Sequence, residues 1–379
     1  MKKGWQTKSV GDILQLEYGK PLDESDRKSD GRFPVYGANG EKDRTDKFYH
    51  DKPSIIVGRK GSAGEINLTE KKFWPLDVTY FVTFDESQHD LRFLYYLLTT
   101  LELTKLAKGV KPGINRNEVY SQVTRVPPLA EQQRIVGLLD EAFEGLATAQ
   151  ANAEKNLQNA RALFESHLQS VFTQRGPGWV EKPLEAVASI LNGYAFKSTD
   201  FSAKEGTKCI KITNVGVREF VSNSDGYLPD SFAAEYEKVS VTEGSIVLAL
   251  TRTIIAGGLK VAVVPEEYDG ALLNQRVASI IANEKELNGA FLFAYLSTQT
   301  VVDYVKERVN TLMQPNLSIT DLRSMPIPAP PRREQNKITE QLDSLREETQ
   351  RLARLYERKH AALEALKKSL LHQAFTGEL

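Results

Sequence analysis

Pro127-Pro128-Leu129-Ala130-Glu131-Gln132-Gln133-Arg134-Ile135-Val136-Gly137-Leu138-Leu139-Asp140 opens a stretch that returns at the other end of the chain as Pro330-Pro331-Arg332-Arg333-Glu334-Gln335-Asn336-Lys337-Ile338-Thr339-Glu340-Gln341-Leu342-Asp343. The two copies, 127–173 and 330–376, align at a constant offset of 203 with no gap and agree at 15 of 47 positions. Among the matches are Glu131/Glu334, Gln132/Gln335, Ile135/Ile338, Leu139/Leu342, Asp140/Asp343, Leu163/Leu366, Leu168/Leu371 and Phe172/Phe375. An internal repeat of this kind fixes the architecture before any single residue does.

Each copy reads as one long helix, because proline is confined to the first turn, where its missing N–H and fixed φ are harmless. Gly176 and Gly377 supply the stop signals. Apolar residues recur at steps of three and four: Leu139, Ala142, Leu146, Ala149, Ala153, Ala160 and Leu163 in copy one, Leu342, Leu345, Leu352, Tyr356, Leu363, Leu366 and Leu370 in copy two. That spacing predicts a coiled-coil seam rather than an amphipathic helix of a globular core, with Asn156 and Lys359 as polar intrusions that set its register.

A helix of about 44 residues is roughly 66 Å long, whereas the segment between the copies, folded compactly, has a radius of gyration of roughly 15 Å. So short a bridge cannot reach from one end of such a helix to the far end, which predicts an antiparallel pair. Charge agrees: residues 127–174 hold 3 basic against 6 acidic side chains, and residues 330–379 hold 10 against 8. Opposite net signs favour pairing with each other over self-pairing.

At 379 residues the chain exceeds one core and should divide into two or three domains. Its 41% hydrophobic and 26% charged residues are ordinary for a globular protein, and one cysteine, Cys209, excludes a disulfide framework or a multi-cysteine metal site. No secretory signal or membrane-length apolar run is read, so the expected location is cytoplasmic, with no membrane partner. A net charge of −1 argues against nonspecific packaging of nucleic acid. Residues 1–126 (21 basic, 18 acidic) and 175–329 (15 basic, 18 acidic) leave any bound DNA dependent in part on a partner's positive field.

Outside the helices the chain repeats more loosely. Gly4 to Gly19 and Gly178 to Gly193 align at an offset of 174, pairing Trp5 with Trp179 and Gly19 with Gly193. Each helix is therefore preceded by a domain of one kind, the second 29 residues longer, since the offsets are 203 and 174. Short β-rich runs such as 54–57, 78–82 and 244–248 alternate with Gly, Asn, Asp and Pro, and helical pieces follow at 91–104 and 288–308. Both domains exit through Pro-bearing polar loops, Lys111 to Val119 and Gln314 to Leu322.

With these motifs in place, the P-P-x-x-E-Q starts, the helix ends at Val171 to Thr173 and Ala374 to Leu379, and two unlike domains alternating with two helices, the chain resembles the specificity subunit of Type I restriction-modification systems. The resemblance implies an α+β fold: two mixed α/β target-recognition domains (1–126 and 176–329) alternating with two spacer helices (127–175 and 330–379) that pair as an antiparallel, pseudo-twofold coiled coil. It also implies a noncatalytic subunit that reads a bipartite asymmetric sequence in double-stranded DNA. Two methyltransferase (modification) subunits would dock on it, with restriction/translocase subunits joining through them. No cofactor is expected in this chain; the partner methyltransferase would use S-adenosylmethionine.

No catalytic signature supports an enzyme instead. Both Pro pairs follow Val126 and Ala329, so the N/D-P-P-Y/F box of adenine methyltransferases is missing, as are G-x-G-x-x-G and Walker loops. Pro229-Asp230 with Glu235, Glu237 and Lys238 superficially suggests a magnesium nuclease, but Tyr236 stands where the second carboxylate belongs. His50, His89, His167, His360 and His372 are scattered without a metal-ligand pair, and no metal is expected.

What remains are binding loops. Gly58-Arg59-Lys60-Gly61-Ser62-Ala63-Gly64 offers cations, a hydroxyl and approachable backbone N–H groups for phosphate or guanine. Tyr36 and Asn39 lie in a Gly-bounded turn whose amide suits adenine, and Lys111, Asn115 and Arg116 lie in the exit loop. In the second domain the candidates are Asn192, Tyr194, Lys197, Lys211, Thr213, Asn214, Arg252, Thr253, Asn274, Gln275, Arg276 and Gln314. Each loop alone reads equally as a structural turn. The competing function is a coiled-coil protein-interaction adaptor without DNA readout, which leaves two unlike loop-rich domains without a use.

Overall fold

Both copies of the repeat are single helices of 45 residues, Leu129–Thr173 and Arg332–Thr376. The computed structural model describes residues 4–201, 205–222, 226–309 and 316–379. The chain divides into two units, Met1–Lys155 with Tyr356–Leu379, and Asn156–Leu355, so each long helix contributes to both. Among the described residues no helix is long and apolar enough to cross a membrane.

In the first unit a four-stranded antiparallel sheet has the order Gln15–Tyr18, Thr79–Thr83, Ser54–Gly58, Ile66–Thr69. The second unit repeats it with Ala188–Asn192, Val277–Ala282, Ile246–Ala249 and Val261–Val263. Of the two inner strands of each sheet, S-I-I-V-G and I-V-L-A are buried throughout, which is why they read as continuous apolar runs rather than alternating ones. The units differ in the first connection. Residues 19–53 of the first contain the hairpin Phe33–Gly37/Gly40–Thr45, whereas residues 193–245 of the second contain the strand Cys209–Ile210 and the helix Ser231–Glu235.

The strand that leads into each long helix is held by the strand that opens its unit: Val123–Val126 pairs with Gln6–Ser9, and Pro326–Ala329 with Val180–Pro183. The glutamine of P-P-x-x-E-Q completes the junction. The buried amide of Gln132 donates to the Pro127 and Gln88 carbonyls (2.9 and 3.0 Å), and its oxygen accepts from the Asp90 N–H (2.9 Å). Gln335 does the same with the Pro330 and Glu286 carbonyls and the Asn288 N–H. Asp90 and Asn288 in turn cap the helices Leu91–Thr100 and Gly289–Leu296. One side chain thus ties the start of a long helix to the start of a domain helix, which explains why both copies keep it. Replacing Gln335 by Leu strands the buried Pro330 carbonyl and leaves the half-buried Asn288 N–H and the Glu286 carbonyl without this partner, so urea unfolding of that variant is expected to show a loss of about 1–3 kcal/mol; an unchanged midpoint would exclude this role.

Within the first unit the long helices run antiparallel, since Arg134 donates to the Leu379 carbonyl, Lys367 lies over the Phe143 ring, and Gln150 meets Glu364. Within the second, Arg346 lies over Phe164, and Leu168 and Phe172 share a core with Ile338 and Leu342. The buried faces carry Leu139, Leu146, Ala153, Ala160, Leu168 and Phe172 on one helix and Ile338, Leu342, Thr349 and Ala374 on the other.

Four expected seam residues are corrected. Leu163 and Leu366 are 51% and 47% exposed, and Asn156 and Lys359 also face solvent. Beyond Ala160 the buried positions advance by four, through Phe164 and Leu168, so the strict alternation of three and four carries Leu163 off the contact face. Asn156 stands one residue before Leu157, which takes the inward place. Of the two stop signals Gly377 serves: its φ of +83° and the Glu378 N–H to Gln373 carbonyl bond form a Schellman cap. Gly176 has no such conformation; the helix has ended at Thr173.

Candidate nucleic-acid interface

In each unit three loops meet at one end of the sheet through the same backbone bonds. The Arg59 N–H donates to the Val78 carbonyl (2.8 Å), and the Arg59 carbonyl accepts from the Ile114 N–H (3.0 Å). In the second unit Leu250 stands in the place of Arg59, donating to the Arg276 carbonyl (2.8 Å) and accepting from the Leu317 N–H (2.9 Å). A bridge beside each junction joins Lys60 to Gly113 and Thr251 to Asn316. Ile114/Leu317 and Gly113/Asn316 preserve the 203-residue offset, so the exit loops are equivalent in space as well as in sequence.

A fourth segment arrives through glycine. A Cβ at Gly19 would stand 2.1 Å from the Leu76 carbonyl oxygen, and one at Gly193 2.2 Å from that of Asn274. Only a residue without a side chain lets the first strand's end pass so close to the loop before the central strand.

In the first unit the structure brings Arg59, Lys60, Ser62, Asn115 and Arg116 together, because Gly61 donates to the Pro112 carbonyl and so docks the two loops. Lys60, Ser62, Lys111 and Asn115 are exposed and Arg59 and Arg116 half-buried. Asn39 is exposed at the tip of the hairpin Phe33–Gly37/Gly40–Thr45, next to Ala38, whose carbonyl oxygen faces Gly58. Tyr36 is half-buried with its ring edge-to-face on Phe73. In the second unit Tyr194 bridges to Asn274, Gln275 donates to the Tyr194 carbonyl, and Asn192, Lys197, Arg252, Gln275 and Arg276 are exposed. Arg252 takes a left-handed backbone, φ +51°, that turns the loop outward. Burial, with the Arg252 charge beside it, lowers the pKa of Lys260, whose ammonium donates to the Ile212 carbonyl. Gln314 lies outside the described residues.

The model of one family, described as Type I restriction modification DNA specificity domain, matches residues 2–156 and 177–357. The chain belongs to this DNA specificity family. Relatives include the MjaVIII Type I specificity subunit of Methanocaldococcus jannaschii, 26% identical with 99% of this chain and 93% of that one covered. The EcoDI specificity subunit of Escherichia coli is 22% identical, covering 99% and 88%. Among solved structures, a chain from a study of complex assembly and conformational transition of the type I R-M system superposes with a TM-score of 0.77 over 100% of this chain and 99% of its own, at 16% identity. The HsdS subunit of Thermoanaerobacter tengcongensis superposes with a TM-score of 0.63 over 100% and 98%, at 17% identity. These likenesses show the fold. As a member of the DNA specificity family the chain is the sequence-specificity component of a restriction-modification complex and not its catalytic one.

For a member of this family, three expected contacts change meaning. Asn214 is buried, its oxygen accepting from the Lys211 N–H and its amide donating to the Val221 carbonyl, so it shapes the loop instead of reaching a base. Thr253 is buried too, with its hydroxyl unpartnered among the described residues. Asn115 is exposed, but its oxygen caps the helix Arg116–Tyr120 by accepting from the Asn117 N–H (2.9 Å). Spacing alone does not distinguish an outward amide from one spent on its own turn.

Outside the expected residues stands Tyr18, which is 45% exposed and has Arg59 and Arg116 over its ring, each at 5.1 Å. It adjoins Gly19, as Tyr194 adjoins Gly193; a polar or aromatic neighbour of a repeated glycine was the available signal. Tyr194 rests on Tyr236 (4.6 Å) and Phe196 (5.1 Å). Beneath lies Cys209, whose thiol burial pushes up to about 12, an inert core residue. Among the described residues no group of His, Cys, Asp and Glu is arranged to hold a metal ion.

Proposed function

We propose that residues 1–126 and 176–329 are two target-recognition domains, each reading one half of a split, asymmetric sequence in double-stranded DNA. Residues 127–175 and 330–379 are the spacer helices between them. The observation that supports this is the loop junction: one backbone frame in both units bears Arg59, Lys60 and Arg116 in the first and Arg252, Asn274, Gln275 and Arg276 in the second. A shared frame with different side-chain donors suits two readers of different sequence, because base edges are told apart by donor and acceptor pattern. Two methyltransferase subunits dock on the chain, supplying S-adenosylmethionine chemistry and the positive field that a net charge of −1 lacks. Restriction and translocase subunits join through them.

Mapping methylated positions in DNA from cells that express this chain with its cognate methyltransferase tests the reading: a bipartite asymmetric motif is expected, and a continuous or palindromic one would refute it. In the same complex Arg59→Ala is expected to weaken DNA binding: a base contact would cost about 1–3 kcal/mol and relax specificity in one half-site only, and a phosphate contact would lower affinity for all sequences and flatten the salt dependence. Unchanged affinity would remove the Gly58–Gly64 loop from the interface.

A further inference from the structure

Tyr18 closes the strand Gln15–Tyr18 at the sheet end where the loops meet, with its ring 5.1 Å from that of Tyr80. The Tyr80 hydroxyl donates to the Ile114 carbonyl in the exit loop, so the pair of tyrosines is anchored in the frame itself. Over the Tyr18 ring stand two guanidinium groups, Arg59 from the Gly58–Gly64 loop and Arg116 from the exit loop. Among the described residues neither is paired with a carboxylate, and Arg59 has one further tie, from Nη1 to the Asp77 carbonyl (3.0 Å). Ring quadrupoles attract guanidinium cations, and here one ring gathers two that would otherwise repel.

We propose that Tyr18 is a positioning residue that holds Arg59 and Arg116 as a two-guanidinium clamp for one backbone phosphodiester of the half-site read by the first unit. The proposal rests on the DNA-reading function above and assigns these arginines within it. Two like charges, each 5.1 Å from one ring and neither paired with a carboxylate among the described residues, favour an anion as their ligand. A guanine reader instead presents one guanidinium edge-on to O6 and N7, whereas here two guanidinium groups share one ring and Arg59 is tied by Nη1 to the Asp77 carbonyl. The clamp belongs to the first unit alone among the described residues: the exposed Tyr194 of the second packs on Tyr236 and Phe196 rings.

The test uses the assembled complex and its mapped target, with uncharged methylphosphonate placed at one phosphate of the first half-site at a time. In the unsubstituted protein one position is expected to cost about tenfold or more in affinity. In Tyr18→Leu, and separately in Arg116→Ala, that penalty should fall below about twofold while penalties elsewhere persist; Tyr18→Phe, which keeps the ring, should retain it. The clamp is overturned if no methylphosphonate penalty in this half-site depends on Tyr18 or Arg116, or if Tyr18→Phe abolishes it as fully as Tyr18→Leu. It is overturned likewise if Arg59→Ala instead abolishes a penalty produced by 7-deazaguanine at one guanine. Failure of the unsubstituted complex to bind its mapped DNA would refute the DNA-reading function, a result distinct from these.

Discussion

Inserting seven residues into each long helix, beside the contact of Gln150 with Glu364, is expected to widen the gap between the two half-sequences of the target and leave both half-sequences intact. Seven residues keep the buried face in register, as Leu139, Leu146, Ala153 and Ala160 already stand seven apart. They add about 10.5 Å of helix, close to the rise of about three base pairs. Added base pairs also rotate the far half-site around the duplex, so growth of about one to three pairs with some loss of affinity is the expected outcome. An insertion of five residues would turn the buried face away from its partner and should unfold the pair instead. Methylation mapping of the seven-residue variant decides the matter: an altered half-sequence, or an unchanged gap in an active complex, would show that the helices do not set the spacing.

Gly193→Ala is expected to be among the most damaging single substitutions outside the cores. Its Cβ would stand 2.2 Å from the Asn274 oxygen and 2.5 Å from the Leu273 oxygen, both backbone atoms that cannot swing aside. The strand Ala188–Asn192 would have to leave its partner Val277–Ala282 or push the loop at Asn274 outward. Overpacking of that severity costs about 3 kcal/mol or more, which for a unit of this size lowers the melting temperature by roughly 6–12 °C. Gly19→Ala should behave alike against the Leu76 and Pro75 carbonyls. Gly61→Ala is the control. Nothing lies within 4 Å of its Cβ, and only its φ of +81° resists substitution, at a cost of about 1 kcal/mol. Equal losses at Gly61 and Gly193 would show that backbone conformation, not close approach, governs both sites.

The helices and their length were legible because a repeat without gaps states the same pattern twice, and their antiparallel order because so short a bridge cannot reach the far end of such a helix. The individual seam positions were less so: Leu163 and Phe164 are both apolar neighbours, and which of them turns inward depends on the winding beyond Ala160, a tertiary outcome. Glutamine at 132 and 335 was visible as a match, but its work was not, since its partners Gln88, Asp90, Glu286 and Asn288 come from elsewhere in the chain. Loop residues were the hardest. Arg59 and Arg116 read alike as basic loop residues, and only the fold places both over Tyr18, whereas Asn214, equally plausible in sequence, is consumed by its own turn.

The loop junction is built wholly from main-chain donors and acceptors, Arg59 with Val78 and Ile114 in one unit, Leu250 with Arg276 and Leu317 in the other. An arginine and a leucine occupy the same node, and the bonds there differ by no more than 0.1 Å. The bonds at this point are therefore independent of side-chain identity, although Leu250 itself is buried in the core, and the exposed neighbours Lys60 and Arg252 can vary without breaking the frame. Under the proposed division of reading between the units, such an arrangement lets recognition drift under selection at low cost in folding: a new target sequence would be acquired by exchanging the surface of one unit while the other keeps its own.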